Sequence, residues 1–148
     1  CVYLAAMREN PAMAEAAGVS PVVPRIRALG LISGMFYTCR LDSIGMFLPD
    51  MLYGKGWRKR PFRPYTDPEY TARAGNLPPS FLVTARGDFL WHYSRRFYRA
   101  ISRDSAAHCL LDIRGDRPLS HAFSAMLPET PEGRDANGQM AAFLLRHC

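Results

Sequence analysis

The sequence has 148 residues, of which 48% are hydrophobic and 22% are charged. This composition is typical of a folded globular domain and excludes an intrinsically disordered chain, which would be poorer in apolar residues. The formal net charge is +6, which permits contact with anionic partners but identifies none. No apolar stretch approaches the roughly 18 residues of a membrane-spanning helix, so we predict no membrane span.

In the first third of the chain, the residue pattern predicts two short helices and a strand. The chain opens at Cys1 and runs directly into helix-forming residues, with no N-cap residue before them. From this start we expect that upstream sequence precedes the first helix in the intact protein. An alanine-rich second helix ends at Gly18, a suitable residue for a helix C-terminus. The apolar run 26–33 is typical of a buried strand.

Six prolines interrupt residues 38–79. We therefore predict that this segment is an irregular excursion, a long connection that runs over the surface. One helix is expected near residues 44–53, with Ser43 as its N-cap. The excursion is a candidate for a lid or for a homodimer surface. Its basic segment 57–63 has the sequence WRKRPFR, which we interpret as a solvated loop rather than a contact with nucleic acid.

The last half of the chain alternates strands and helices. Apolar runs predict strands at 80–85 and 109–113, and apolar periodicity predicts helices at 92–103 and from about residue 135. This alternation indicates an α/β fold, with a parallel sheet flanked by helices. Three strands make a small sheet of this kind, and the apolar strand 26–33 would form an exposed edge. We therefore expect further strands upstream.

Asp88 and His121 are the candidate catalytic residues. Each follows a predicted strand, and the carboxyl ends of neighbouring parallel strands meet at one edge of a sheet, where active sites of such folds lie. A carboxylate and an imidazole at that edge would form the orienting half of a nucleophilic triad. From their spacing alone, it is equally plausible that Asp88 and His121 are two unrelated loop residues. The remaining histidines, at 92, 108 and 147, fit a site less well.

The four cysteines, at positions 1, 39, 109 and 148, contain no C-x-x-C pair. They are too sparse for a disulfide framework, so we predict a reducing compartment and a cytoplasmic protein. No histidine or cysteine has a second ligand at zinc spacing, and we predict no metal site.

Two segments resemble a known family. Residues 76–90, NLPPSFLVTARGDFL, resemble the Leu-Pro-Pro, apolar strand and Gly-x-Asp-Pro-Leu pattern of hormone-sensitive-lipase-like esterases, which are α/β-hydrolases. Residues 119–123, LSHAF, resemble the His-Gly-Phe motif of the same family. The resemblance covers residues from about 25 to 147. It implies the C-terminal half of an α/β-hydrolase domain, with Asp88 as the triad acid and His121 as the base.

The sequence departs from the family pattern at three points. Phe89 replaces the usual proline after the acid, and Ala122 replaces glycine after the histidine. No G-x-S-x-G nucleophile elbow is present, since Gly18–Val22 and Leu41–Gly45 each lack one glycine. The opening helix resembles the one that follows the elbow. The resemblance therefore implies a serine just before Cys1, with the elbow and the N-terminal strands outside these residues.

The resemblance implies a serine hydrolase that cleaves small carboxylic esters through an acyl-enzyme, without a cofactor. The 148 residues alone would be inactive, and activity of the intact protein would fall in acid. Phe36, Tyr37, Phe89 and Trp91 are candidates for the substrate pocket because each lies near the carboxyl end of a predicted strand. Ordinary core or surface roles are at least as plausible for each of these aromatic residues.

Two other functions remain open at this point. The first is a non-catalytic binding or scaffolding protein on the same fold, in which the upstream serine has been lost. The second is a basic nucleic-acid-binding module centred on residues 57–63, whose binding would weaken steeply with salt.

Overall fold

The computed structural model describes residues 1–21, 23–40, 42–103, 107–115 and 118–148. The chain divides into two compact units, which we describe separately. The first unit consists of Cys1–Arg25 and Phe36–Leu77, and the second consists of Ile26–Met35 and Pro78–Cys148.

The first unit is helical. Its α-helices are Val2–Glu9 (α1), Pro11–Ala17 (α2), Ser43–Tyr53 (α3) and Pro68–Gly75 (α4), and its 3-10 turns are Trp57–Lys59 and Arg63–Thr66. Helices α1 and α4 pack closely because Gly75 has no side chain. A Cβ atom at Gly75 would lie 2.3 Å from the Cβ of Ala6 on α1.

Residues 38–79 hold more regular structure than the predicted excursion with one helix. Helix α3 confirms the helix predicted near residues 44–53, but its N-cap is Asp42 rather than Ser43. The Asp42 carboxylate accepts a hydrogen bond from the Gly45 N–H at 3.0 Å. Helix α4 is absent from the sequence prediction, although it begins with a capping aspartate, Asp67, followed by proline at the first helical position.

Aromatic side chains pack together in the first unit. The ring of Tyr53 lies 5.7 Å from that of Trp57 and 6.2 Å from that of Phe62. The hydroxyls of Tyr3 and Tyr53 are 2.8 Å apart, and burial together with this hydrogen bond raises the pKa of Tyr3. Within the basic segment, Trp57 is buried and the Arg58 guanidinium lies 4.7 Å from its ring centre. The indole is therefore part of the core of this unit.

The second unit contains a parallel sheet in the order β1-β2-β3. Its strands are Leu29–Ile32 (β1), Ser80–Ala85 (β2) and His108–Ile113 (β3), and its helices are Trp91–Ile101 (α5), Phe123–Met126 (α6) and Pro131–His147 (α7). Every residue of β2 is buried, as expected for the central strand of a covered parallel sheet. The predicted fold class, a parallel α/β sheet flanked by helices, is confirmed.

Alternate residues of β2 form a hydrophobic core with residues of α6 and α7. The buried members of this core are Phe81, Val83, Ala85, Phe123, Ala136 and Phe143. Helix α7 packs closely over Gly30 of β1, where a Cβ atom would lie 2.6 Å from the Met140 sulfur. Helix α5 packs against β2 and β3. The apolar stripe that the sequence predicts on this helix is Tyr93, Phe97, Ala100 and Ile101, of which Ala100 is half-buried and the other three are buried.

The predicted bounds of α5 and β3 differ from the observed ones by one or two residues, and two other elements differ by more. Strand β1 covers residues 29–32, rather than 26–33. Helix α7 begins at Pro131 rather than near Asp135, because the Thr130 hydroxyl accepts a hydrogen bond from the Gly133 N–H at 3.1 Å and caps the helix there. None of the helices in the described part of the chain is both long enough and apolar enough to cross a membrane.

Replacement of Gly75 by alanine is expected to lower the free energy of unfolding by about 1 to 3 kcal/mol, because the new methyl group would overlap Ala6 on α1. The matched control is Gly138→Ala in the interior of α7. A Cβ atom there has no described atom within 4 Å, so this change is expected to raise stability by about 0.5 to 1 kcal/mol. Urea unfolding of both variants measures the difference, and equal effects would contradict the close packing of α1 and α4.

Candidate active site

The strand register brings three loops to one edge of the sheet in the second unit. Ile32 of β1 lies beside Val83 of β2, and Ala85 of β2 lies beside Ile113 of β3. Because the strands are parallel, the loops that follow them begin at the same edge. This confirms the sequence prediction that the loops after the second and third strands are neighbours.

The loop after β2 buries a carboxylate. The Asp88 N–H donates to the Ala85 carbonyl at 2.9 Å, which closes a tight turn at the end of the strand. Its Oδ1 accepts a hydrogen bond from the Leu90 N–H at 2.8 Å. The Asp88 side chain is 0% exposed. The turn therefore holds the carboxylate in one orientation, facing the interior of the loop region.

The loop after β3 approaches this turn at a glycine. A Cβ atom at Gly87 would lie 2.5 Å from the Leu119 carbonyl oxygen and 3.0 Å from the Pro118 Cβ. Any larger residue would push the two loops apart. The contact at Gly87 therefore lets the histidine loop approach Asp88.

His121 lies against Asp88. The distance from His121 Nδ1 to Asp88 Oδ1 is 2.9 Å, and the histidine side chain is 40% exposed. An ionised carboxylate can only accept a hydrogen bond, so the proton between them belongs to Nδ1. The neutral imidazole then has its lone pair on Nε2, which has no hydrogen-bond partner in the described part of the chain. In this arrangement Nε2 is the nitrogen that could accept a proton from another group.

The two carboxylate oxygens of Asp88 differ in their hydrogen bonding. Oδ2 is buried and has no hydrogen-bond partner among the residues that the structure describes. Both donors that reach this carboxylate, the Leu90 N–H and His121, bind Oδ1. A positive charge on the imidazole would be adjacent to a poorly solvated anion, and burial strengthens that attraction relative to water.

Among the predicted pocket residues, Phe89 contacts the histidine. Its ring centre lies 4.6 Å from that of His121, with 39° between the planes. The Phe89 side chain is nevertheless largely exposed, at 67%. The residue that replaces the family's proline therefore covers one face of the imidazole and also offers an apolar surface to solvent.

Trp91, another predicted pocket residue, contacts charged side chains. Its indole N–H donates to Asp112 Oδ1 at 2.7 Å. Asp112 also accepts hydrogen bonds from the Arg114 guanidinium at 2.8 and 3.0 Å, and the Arg95 guanidinium lies 4.5 Å from the centre of the indole. The polar edge of Trp91 is thus bound within a cluster of charged side chains that joins α5 to β3.

The other two predicted pocket residues, Phe36 and Tyr37, belong to the first unit. Phe36 is half-buried, and Tyr37 is buried with its hydroxyl donating to the Glu69 carboxylate at 2.9 Å. A substrate-pocket role for these two residues stays a prediction.

The remaining histidines are distributed over other positions. His92 is exposed on α5, and His147 packs its ring 4.5 Å from that of Phe143 on α7. His108 is the first residue of β3, at the opposite end of the strand from the site. All four cysteines are free thiols. Among the described residues, no group of three or more His, Cys, Asp or Glu side chains is arranged to hold a metal ion.

Sequence reasoning missed Ser33, which directly follows β1. Its hydroxyl oxygen accepts a hydrogen bond from the Ala122 N–H at 3.0 Å, so it binds the residue next to His121. Ser33 is buried. The available signal was a small polar residue at the carboxyl end of a predicted strand, the same signal that identified Asp88.

Comparisons with known proteins support the fold. No protein-family model matches the chain, and no curated protein matches it by sequence. Among solved structures, esterase B from Lactobacillus rhamnosis matches with a TM-score of 0.81 and 20% identity, over 96% of this chain and 47% of esterase B. An esterase/lipase from an uncultured bacterium matches with a TM-score of 0.65 and 18% identity, over 97% and 50% of the two chains. An esterase from Pyrobaculum calidifontis matches with a TM-score of 0.56 and 22% identity, over 93% and 48%.

The chain therefore has part of the α/β-hydrolase fold, and the resemblance drawn from residues 76–90 and 119–123 is confirmed at the level of the fold. The chain spans about half the length of the solved structures it matches. At these identities the likeness establishes the fold alone, and the activity has to be argued from the site.

The hydrogen bond between Trp91 and Asp112 is expected to stabilise the fold by about 1.5 to 3 kcal/mol, since one partner is charged. A double-mutant cycle with Trp91→Phe and Asp112→Ala isolates this contribution from the loss of packing. Trp91→Phe should lower the free energy of unfolding more in the native background than in the Asp112→Ala background. Equal effects in the two backgrounds would show that the indole N–H contributes nothing.

Proposed function

We propose that this chain supplies the acid and the base of a serine hydrolase that cleaves small carboxylic esters through an acyl-enzyme. The observation that carries the proposal is the 2.9 Å contact between His121 Nδ1 and the fully buried Asp88 carboxylate. In that arrangement the carboxylate fixes the tautomer and the orientation of the imidazole, as a triad acid does. The likeness to solved esterases supports this choice among the reactions that such a pair can perform.

In the proposed reaction, His121 Nε2 takes the proton of a serine hydroxyl as that oxygen attacks the ester carbonyl. The resulting imidazolium is stabilised by Asp88 and then gives its proton to the departing alcohol, which leaves an acyl-enzyme. His121 next takes a proton from water, whose oxygen attacks the acyl carbonyl, and returns that proton to the serine. We place the serine and the oxyanion donors upstream of Cys1, because the 148 residues contain no G-x-S-x-G elbow.

Esters with short acyl chains are the first substrates to test. One solved structure of esterase B concerns a tributyrin phosphonate, and crystals of EstE5, another solved structure that this chain matches, were soaked with p-nitrophenyl butyrate. Tributyrin and p-nitrophenyl butyrate are both esters of the four-carbon butyric acid. In this chain, the exposed ring of Phe89 next to His121 offers an apolar surface beside the reacting nitrogen, which suits an acyl or alkyl group rather than a charged one.

The proposal requires no cofactor, because the triad reaction uses only side chains and water. We also propose a cytoplasmic location, where the four free thiols would remain reduced.

Two substitutions in the full-length protein test the catalytic roles. His121→Ala is expected to lower kcat for p-nitrophenyl butyrate on the order of 10⁶-fold, because it removes the general base. Asp88→Asn is expected to lower kcat by about 10⁴-fold, because the amide would stabilise the wrong imidazole tautomer. Steady-state kinetics measure both effects, and circular dichroism checks that the fold is retained.

The matched controls are His92→Ala and Asp135→Asn, which change the same residue types at exposed positions on α5 and α7. Both are expected to leave kcat within about twofold of the native value, as exposed positions tolerate substitution. Full turnover in either Asp88→Asn or His121→Ala would contradict the assigned roles. A native protein without esterase activity would instead favour a binding or scaffolding protein on this fold.

A further inference from the structure

We propose that Ser33 is a positioning residue for His121: its hydroxyl fixes the main chain of the histidine loop to the end of β1. The inference rests on the proposed function for its effect on turnover, but the contact itself is a property of the fold. The Ser33 Oγ accepts a hydrogen bond from the Ala122 N–H at 3.0 Å. Ala122 directly follows His121 in the chain.

Ser33 is itself held by the sheet. Its N–H donates to the Val83 carbonyl at 2.9 Å, which extends the pairing of β1 with β2 by one residue. The side chain is inside the unit, since Ser33 is only 4% exposed. The main chain of Ser33, which carries the hydroxyl, is thus fixed to the central strand β2.

The backbone at Ser33 indicates that this orientation is imposed by its surroundings. Its φ is +48°, in the left-handed region that residues with a side chain seldom adopt. Such conformations persist where the surrounding structure holds them, and they concentrate at functional sites. Here the turn at Ser33 aims the hydroxyl toward the histidine loop, while the residue that follows, Gly34, continues the chain away from the strand.

The histidine loop needs an external support of this kind. Ala122 also has a positive φ, +53°, and the helix that it caps, α6, is only four residues long. One turn of helix is not stable by itself, because its nucleus costs more backbone entropy than its hydrogen bonds return. The bond from Ala122 to Ser33 supplies the support from β1, while the bond from His121 to Asp88 supplies it from the loop after β2.

His121 is therefore held at two points, its ring by Asp88 and its main chain by Ser33. Loss of the Ser33 contact would leave the Asp88 hydrogen bond possible but would let the loop sample other positions. A catalytic group displaced by about 1 Å can lose roughly 10²-fold in rate even though binding is preserved. The expected signature is a fall in kcat without a matching rise in KM.

The test uses Ser33→Gly in the full-length protein. Glycine accepts a φ of +48° without strain, so the variant removes the hydroxyl while keeping the backbone. We expect kcat for p-nitrophenyl butyrate to fall about 10- to 100-fold with KM within about twofold, and hydrogen exchange of the Ala122 amide to accelerate. Asparagine tolerates the same φ and carries an acceptor oxygen. The Ser33→Asn variant should therefore recover part of the lost kcat and part of the lost protection of the Ala122 amide.

Ser124→Ala is the matched control. Ser124 is a buried serine on α6 whose hydroxyl has no hydrogen-bond partner among the described residues, so its loss should leave kcat and the Ala122 exchange rate unchanged. Native exchange and native kcat in Ser33→Gly would overturn the inference. If the native protein has no esterase activity, the proposed function fails, but the exchange rate of the Ala122 amide still decides whether Ser33 holds the loop.

Discussion

The hydrogen bond between His121 and Asp88 is the constraint on which the site depends. It requires a carboxylate that is buried yet fixed, and the turn after β2 provides one by giving Oδ1 the Leu90 N–H and shielding the side chain from water. It also requires that a second loop approach within hydrogen-bonding distance. Gly87 permits that approach, because any Cβ atom there would meet the Leu119 carbonyl.

The parallel register explains why these parts are found together. Each of the three strands ends at the same edge, and each following loop contributes something different: the β1 loop contributes a hydroxyl acceptor, the β2 loop a carboxylate and the β3 loop an imidazole. Burial is graded across the site, since the carboxylate is fully enclosed while the imidazole is 40% exposed. The enclosed carboxylate thus lies next to an imidazole that solvent can reach.

Sequence reasoning could predict the strands and that Asp88 and His121 follow two neighbouring strands at one edge of the sheet, because apolar runs and the residues that end them are local signals. It could not predict the role of Ser33, whose partner is 89 residues away along the chain. Nor could it predict the hydrogen bond between Trp91 and Asp112, which also joins separate segments of the chain. Helix α4 is hard to predict because proline both ends helices and is favoured at a helix start, and Pro68 occupies that first position here. The catalytic roles of Asp88 and His121 remain proposals.

The most direct test of the central claim is to label the protein from its native source with a fluorophosphonate and to map the modified peptide by mass spectrometry. The claim is that the Asp88–His121 pair activates a serine outside these 148 residues. It predicts a label on a serine in a segment that precedes Cys1, and loss of labelling in the His121→Ala variant. A label on a serine within the 148 residues, or no label on the native protein, would contradict it.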